Sequence, residues 1–229
     1  LISVIIPKVL RVEKKQSGTY MVMTIFSNIG FMGYPIVAAL YGSGAVLLAS
    51  LFAIPYNILI YSFGVALMSQ DENASLKDYL SIKKIINIGF VASMITLVIV
   101  IFQIHVPAVI GTTVQHLGNM AVPLSMLVIG TSLAKMEMKE LFTDFKLIAF
   151  SLIRLIVMPL IFVAVIRQFV TNPVILGVCM IELAVPVGSM VALLAKEYDG
   201  DAMLAAKSVT LTTVLSVVTI PIVAMLTGL

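Results

Sequence analysis

The chain has 229 residues, of which 61 % are hydrophobic and 11 % charged, with a formal net charge of +3 and a mean hydropathy of +1.15. Soluble domains carry about 25 % charged residues, and a single core of this size cannot hide so much apolar surface. An ordinary soluble enzyme is therefore excluded. The apolar residues come in runs close to the about 20 residues that cross hydrocarbon as a helix, and the strict alternation of a membrane barrel is not visible. The expected fold is all-α and integral to the membrane. The basic residues fall in loops between spans, where they orient the protein, so no nucleic-acid partner is expected. Cys179 is the single cysteine, lies in an apolar run, and reads as a small packed hydrophobe.

Leu1 to Val9 reads as the tail of a helix, and because it opens within an apolar stretch, helices are expected before it. A polar loop, 11–18, follows. Thr19 to Tyr41 is a span, then come a tight Gly42-Ser43-Gly44 turn and a span from Ala45 to Met68. Residues 69–84 read as a hydrophilic cytoplasmic loop. Ile85 to Gln103 is a span, 105–116 a mildly polar connector with Pro107, and Leu117 to Ala134 the next span. After a charged stretch, spans run from Leu147 to Phe169, Pro173 to Lys196 and Ala202 to Leu226.

With the first helix entering the cytoplasm, Lys8, Arg11, Lys14, Lys15, Lys77, Lys83, Lys84, Lys135, Lys139, Lys146 and Lys196 fall on the inner side and Arg167 on the outer. This asymmetry obeys the positive-inside rule and puts the C-terminus outside.

Two stretches resemble each other: Asn28 to Pro35 followed by Tyr41-Gly42, and Glu182 to Ser189 followed by Tyr198 to Gly200. Each has a polar residue before a mid-span proline, small residues around it, and an aromatic-to-glycine turn before a last apolar helix. The charge count gives the two opposite directions. Inverted repeats with interrupted helices in matching places mark secondary transporters. Mid-helix proline removes a backbone hydrogen bond, and in lipid the freed groups need partners. Proline and glycine also serve as plain kink and packing devices in membrane helices.

Glu182 is the carboxylate well inside a span. A charge at the bilayer centre costs ~2.5–3.5 kcal/mol on insertion scales, so Glu182 either takes up H⁺ or Na⁺ or is hydrogen-bonded to a neighbouring helix. Asn28 offers donors and an acceptor at the first break; the alternatives are a substrate contact, with Gly30, Gly33 and Pro35 on the following turns, or interhelical glue. Arg154 lies about two turns into its span, either snorkelling to the interface or held in an ion pair or anion site. Asn57 and Asn119, near Pro55 and Pro123, are weaker candidates. Thr210, Thr212, Thr213, Ser216 and Thr219 form a polar seam that lines a path or bonds back to helix carbonyls. His105 and His116 read as interfacial rather than metal-binding. No phosphate-binding glycine loop, metal-ligand cluster or nucleophile-plus-base pair is recognisable. No catalytic activity, metal or organic cofactor is expected.

The run Ser27-Asn28-Ile29-Gly30-Phe31-Met32-Gly33-Tyr34-Pro35 resembles the asparagine–glycine–proline motif of the auxin efflux carrier family. Pro186, Leu194-Ala195, Tyr198, Gly200-Asp201, Leu211 to Ser216 and Pro221 resemble its C-terminal unit, and Leu124 to Gly130 its seventh helix. The resemblance implies ten helices in two inverted repeats of five, similar to sodium–bile acid symporters, with two broken helices crossing at 28–35 and 182–186. Residues 1–68 would end the first repeat, with its broken helix at 19–41. Residues 85–229 would form the second, with its broken helix at 173–196. The short 69–84 loop favours a bacterial malate- or malonate-permease-like carrier. The function implied is secondary transport of a small organic anion across the cell membrane, with Asn28, Gly30, Gly33, Pro35, Pro186 and Ser189 binding substrate, Glu182 coupling to H⁺ or Na⁺, and Arg154 serving an ion pair or the anion. The expected partners are that anion and the lipid bilayer, with a homodimer allowed. The other classes are a channel-like pore and a non-transporting membrane sensor or scaffold.

Overall fold

The computed structural model describes residues 2–68, 88–133 and 143–229. The expected 69–84 loop, Lys135 and Lys139 lie outside the described residues, as do the side chains of Asn119, Pro123 and most of Leu124 to Gly130.

Among the described residues the structure is built of helices. A short α1 (Ile2–Val9) turns through Arg11 into α2 (Lys14–Ile25). α2 starts before Thr19 because the polar residues Lys14 to Ser17 form its first turns rather than a loop. The chain unwinds at 26–28, makes a wide π-helical turn (Ile29–Gly33), and resumes as α3 (Tyr34–Tyr41). Gly42, at φ +82°, makes the sharp reversal into α4 (Ser43–Leu59), a conformation that favours glycine. A second π-helical turn (Ile60–Gly64) joins α4 to α5 (Val65–Met68).

α6 (Ile88–Ile101) and α7 (Ala108–Leu133) follow. The connector between them is shorter than the expected 105–116, since α7 begins directly after Pro107. Gly111, Thr112, Thr113 and His116 thus lie within α7, and the Thr113 hydroxyl bonds back to Val109 O at 2.8 Å. Their polarity breaks the hydropathy run without breaking the helix.

α8 (Phe145–Leu152), a third π-helical turn (Ile153–Val157) and α9 (Met158–Ile166) form one continuous apolar rod. α10 (Pro173–Ala184) and α11 (Ser189–Glu197) are the halves of another interrupted helix. α12 (Ala202–Thr227) closes the chain. The starts are locally encoded. The Asn172 side chain accepts from Val174 N and Ile175 N with Pro173 at the first position, and Asp144 and Asp201 cap α8 and α12. Two of the π-helical turns sit two residues before a proline, Pro35 and Pro159. The wide turn gives room where the proline ring would press on the carbonyl four residues earlier.

Three helices are long and apolar enough to cross a membrane among the described residues: Gly44–Met68, Phe145–Ile166 and Ala202–Thr227; Ile29–Tyr41 and Pro173–Ala184 are shorter apolar helices. Large apolar side chains such as Leu47, Phe102, Val109 and Val217 face outward, as lipid contact requires. Two buried apolar clusters hold the bundle. One joins α2, α8, α11 and the first half of α12 through Tyr20, Phe26, Phe150, Val191 and Leu204. The other joins α3, α4, α10 and the last turns of α12 through Val37, Ala49, Ile181 and Val223. The two interrupted helices pass from one cluster to the other at their breaks.

Candidate functional site

The breaks meet. Asn28 N donates to Pro186 O at 2.8 Å and Gly188 N donates to Phe26 O at 3.0 Å, so Ser27 and Val187 pair as a single antiparallel bridge. Two unwound peptides thus satisfy each other where lipid could not. The third helix to join is α12: Val187 N donates to the Thr212 hydroxyl at 3.2 Å, and that hydroxyl donates to Ser208 O at 2.6 Å. The edge-on contact of Phe26 and Tyr56, with ring centres 5.3 Å apart, fixes α4 against the same place.

Polar groups gather in this layer. Ser27, Asn28, Arg154, Glu182, Ser189 and Thr212 are all buried. Asn28 O accepts from Met32 N and Gly33 N at 3.2 and 3.1 Å, which starts the π-helical turn. Arg154 reaches in from the π-helical turn 153–157. Its Nη1 donates to Leu183 O at 2.8 Å and its Nη2 donates to the Ser27 hydroxyl. Neither carboxylate oxygen of Glu182, nor Ser189 Oγ, has a hydrogen-bond partner among the described residues. Glu182 packs instead on the Gly33 backbone.

A cavity of about 250 Å³ opens beside the crossing. Asn28, Gly30, Tyr34, Tyr56, Asn57 and Ser189 are among its lining residues. The expected site residues therefore separate into groups. Asn28, Gly30 and Ser189 border the cavity. Pro186 lies in the crossing itself, and Gly33 and Glu182 form a contact behind the cavity wall. Pro35 is exposed near the start of α3 and is not among the residues that line the cavity, although its neighbour Tyr34 is. The unwinding falls at 26–28, ahead of Pro35, and the helix runs on through that proline behind the π-helical turn 29–33. Arg154 is buried at 2 % exposure, so it does not snorkel; its donors go to Leu183 O and Ser27 while both Glu182 oxygens lack a partner, so the two do not pair among the described residues.

Ser27, Tyr34 and Tyr56 enter the site without having been singled out as candidates. Ser27 had a signal in its place beside Asn28, whereas Tyr56 had none apart from its nearness to Asn57. Of the seam on α12, Thr212 braces the crossing, while Thr213 and Ser216 bond back to Val209 O and Thr213 O.

A helical bundle with apolar helices of membrane-crossing length and two interrupted helices joined backbone to backbone, beside a cavity of small-molecule size, fits a membrane protein with a small-molecule site. The membrane transport protein family model matches residues 1–224, and the chain belongs to this family, that of the auxin efflux carriers. An uncharacterized transporter of Methanothermobacter thermautotrophicus is 27 % identical over 199 residues, covering 85 % of this chain and 63 % of that protein. An uncharacterized transporter of Methanocaldococcus jannaschii is 23 % identical over 219 residues, covering 93 % of this chain and 69 % of that protein. The chain thus spans about two-thirds of the length of these relatives.

Proposed function

We propose that the protein is a secondary carrier of a small organic anion, a mono- or dicarboxylate such as malate or malonate, and that the anion binds in the cavity beside the crossing. The observation that carries this reading is the cavity's position at the start of two helical segments. Asn28, Ile29 and Gly30 enter one, and Gly188, Ser189 and Met190 enter the other. Helix N-termini present unpaired N–H groups and partial positive charge, which favour a carboxylate. Asn28, Asn57 and Ser189 add side-chain donors. At about 250 Å³ the cavity lies below the about 300–1,000 Å³ of drug-sized sites, which favours an acid of a few carbons.

Glu182 takes up the coupling ion, H⁺ or Na⁺. Its unpartnered oxygens support this role, since an uncompensated carboxylate in the membrane interior needs a proton, a cation or a partner. The antiparallel pairing of the breaks supports the inverted-repeat reading, and the charge asymmetry supports a cell-membrane orientation with the C-terminus outside. One half of the bundle then moves against the other to expose the cavity alternately.

The test is uptake of labelled mono- and dicarboxylates into proteoliposomes containing the full-length protein. Saturable uptake with counterflow is expected, and Asn28→Ala and Ser189→Ala raise KM. Linear, non-saturating flux without counterflow would point to a pore and overturn the carrier reading.

A further inference from the structure

Arg154 comes from a third helix and binds both breaks at once. α2 and α10 each end at the crossing, and a helix end leaves carbonyls unpaired with partial negative charge. Unwound carbonyls and half-helix ends of this kind coordinate Na⁺ in carriers built on broken helices. Here Nη1 of Arg154 donates to Leu183 O at 2.8 Å, within the last turn of α10, and Nη2 donates to the hydroxyl of Ser27, just beyond α2. Arg154 is 2 % exposed, and the carboxylate of Glu182, one residue from Leu183, is turned to Gly33 instead. The arginine's two Nη donors are therefore met by carbonyl and hydroxyl oxygens, as a metal cation would be, while its Nε has no hydrogen-bond partner among the described residues. A planar fork with several donors suits two partners on different segments.

We propose that Arg154 is the resident cation of the crossing, holding the ends of the two interrupted helices together in place of a bound Na⁺, so that the crossing assembles without Na⁺ and coupling falls to H⁺ at Glu182. This rests on the reading of the crossing as the transport site. Arg154 acts as a positioning residue: it does not line the cavity of the proposed substrate site, and it borders a separate cavity together with Ser27 and Leu183.

Thermal unfolding of the purified full-length protein, in Na⁺ and in choline media of equal ionic strength, tests the idea without any substrate. The wild-type midpoint is the same in both media. Arg154→Lys keeps the charge with fewer donors, and Arg154→Gln keeps donors without the charge. The Lys variant stays within a few degrees of wild type and remains indifferent to Na⁺. The Gln variant melts several degrees lower and regains part of the loss in Na⁺. Stabilisation of the wild type by Na⁺ overturns the proposal. So does a Gln variant as stable as the Lys variant, or one that does not respond to Na⁺. Because no transported substrate is added, a failed uptake screen and a failed cation test are separate results.

Discussion

The carboxylate of Glu182 lies against the α-carbon of Gly33 so closely that a methyl group placed there would come within 2.5 Å of Oε2 and 2.7 Å of Oε1. The first break thus reaches the ionisable residue of the second through a glycine. Gly33→Ala must push the carboxylate away from its place. Overpacking of this kind costs about 1–3 kcal/mol, and if the strain falls on the transporting state, uptake drops by about tenfold or more. Gly30 is the control. A methyl group there meets nothing within 4 Å, and Gly30 lines the cavity. Gly30→Ala should leave the melting temperature unchanged and act on KM alone. Initial uptake rates and thermal unfolding of both variants check the contrast, and equal behaviour would contradict the Gly33–Glu182 contact.

Glu182→Gln keeps the shape of the side chain and removes its ability to bind a proton. With coupling at this residue, the variant loses accumulation driven by an inward proton gradient. It retains exchange of labelled for unlabelled substrate, which needs no net ion movement. Accumulation and exchange measured in the same proteoliposomes separate the two. If accumulation persists at the wild-type level, Glu182 is not the coupling group.

The Thr212 hydroxyl accepts from Val187 N inside the crossing, where both residues are fully buried. Thr212→Val is nearly isosteric and leaves a buried N–H without its partner, a loss of about 1–3 kcal/mol. Thr212→Ser keeps the acceptor. The expected order of melting temperatures is wild type, then Ser, then Val. A Val variant as stable as the Ser variant would mean that the hydroxyl's bonds to Val187 N and Ser208 O add nothing net to stability.

What the sequence discloses and what it hides divide along one physical line. Polarity, proline and cap residues mark a chain wherever they occur, so the interruptions near Asn28 and Pro186, the Gly42 reversal and the start at Asn172-Pro173 are legible. Backbone partners carry no such mark. Leu183 looks like any apolar residue, yet its carbonyl is what holds Arg154, and nothing in the span around Arg154 says which helix its side chain meets. Gly30 and Gly33 look equivalent in the motif and differ only in what stands opposite them. The π-helical turns before Pro35 and Pro159 shift the register by a residue without altering hydropathy, so a proline inside a continuing helix cannot be told from one at a break, and the first break falls at 26–28. Polar residues at the start of α7 concealed a helix for the opposite reason: they interrupt the apolar run where the backbone continues unbroken.

Two glycines far from the cavity give a prediction about packing that depends on the kind of neighbour. A methyl group at Gly18 in α2 would meet the Leu67 carbonyl oxygen at 2.1 Å, and at Gly177 in α10 it would meet the Tyr41 hydroxyl oxygen at 2.0 Å. The distances are nearly equal, but the costs are not. Leu67 O belongs to the backbone of α5, so α2 and α5 must separate as rods, and contacts between them such as Thr19 with Met68 are lost. Close backbone approach at small residues is a main source of helix association in membranes. Tyr41 is the last residue of α3, only partly buried, and its ring can swing aside about its side-chain torsions. Gly18→Ala should therefore lower the melting temperature clearly more than Gly177→Ala. Thermal unfolding of the two variants side by side checks the order, and the reverse order would mean that the Tyr41 ring is held more rigidly than the α2–α5 pair.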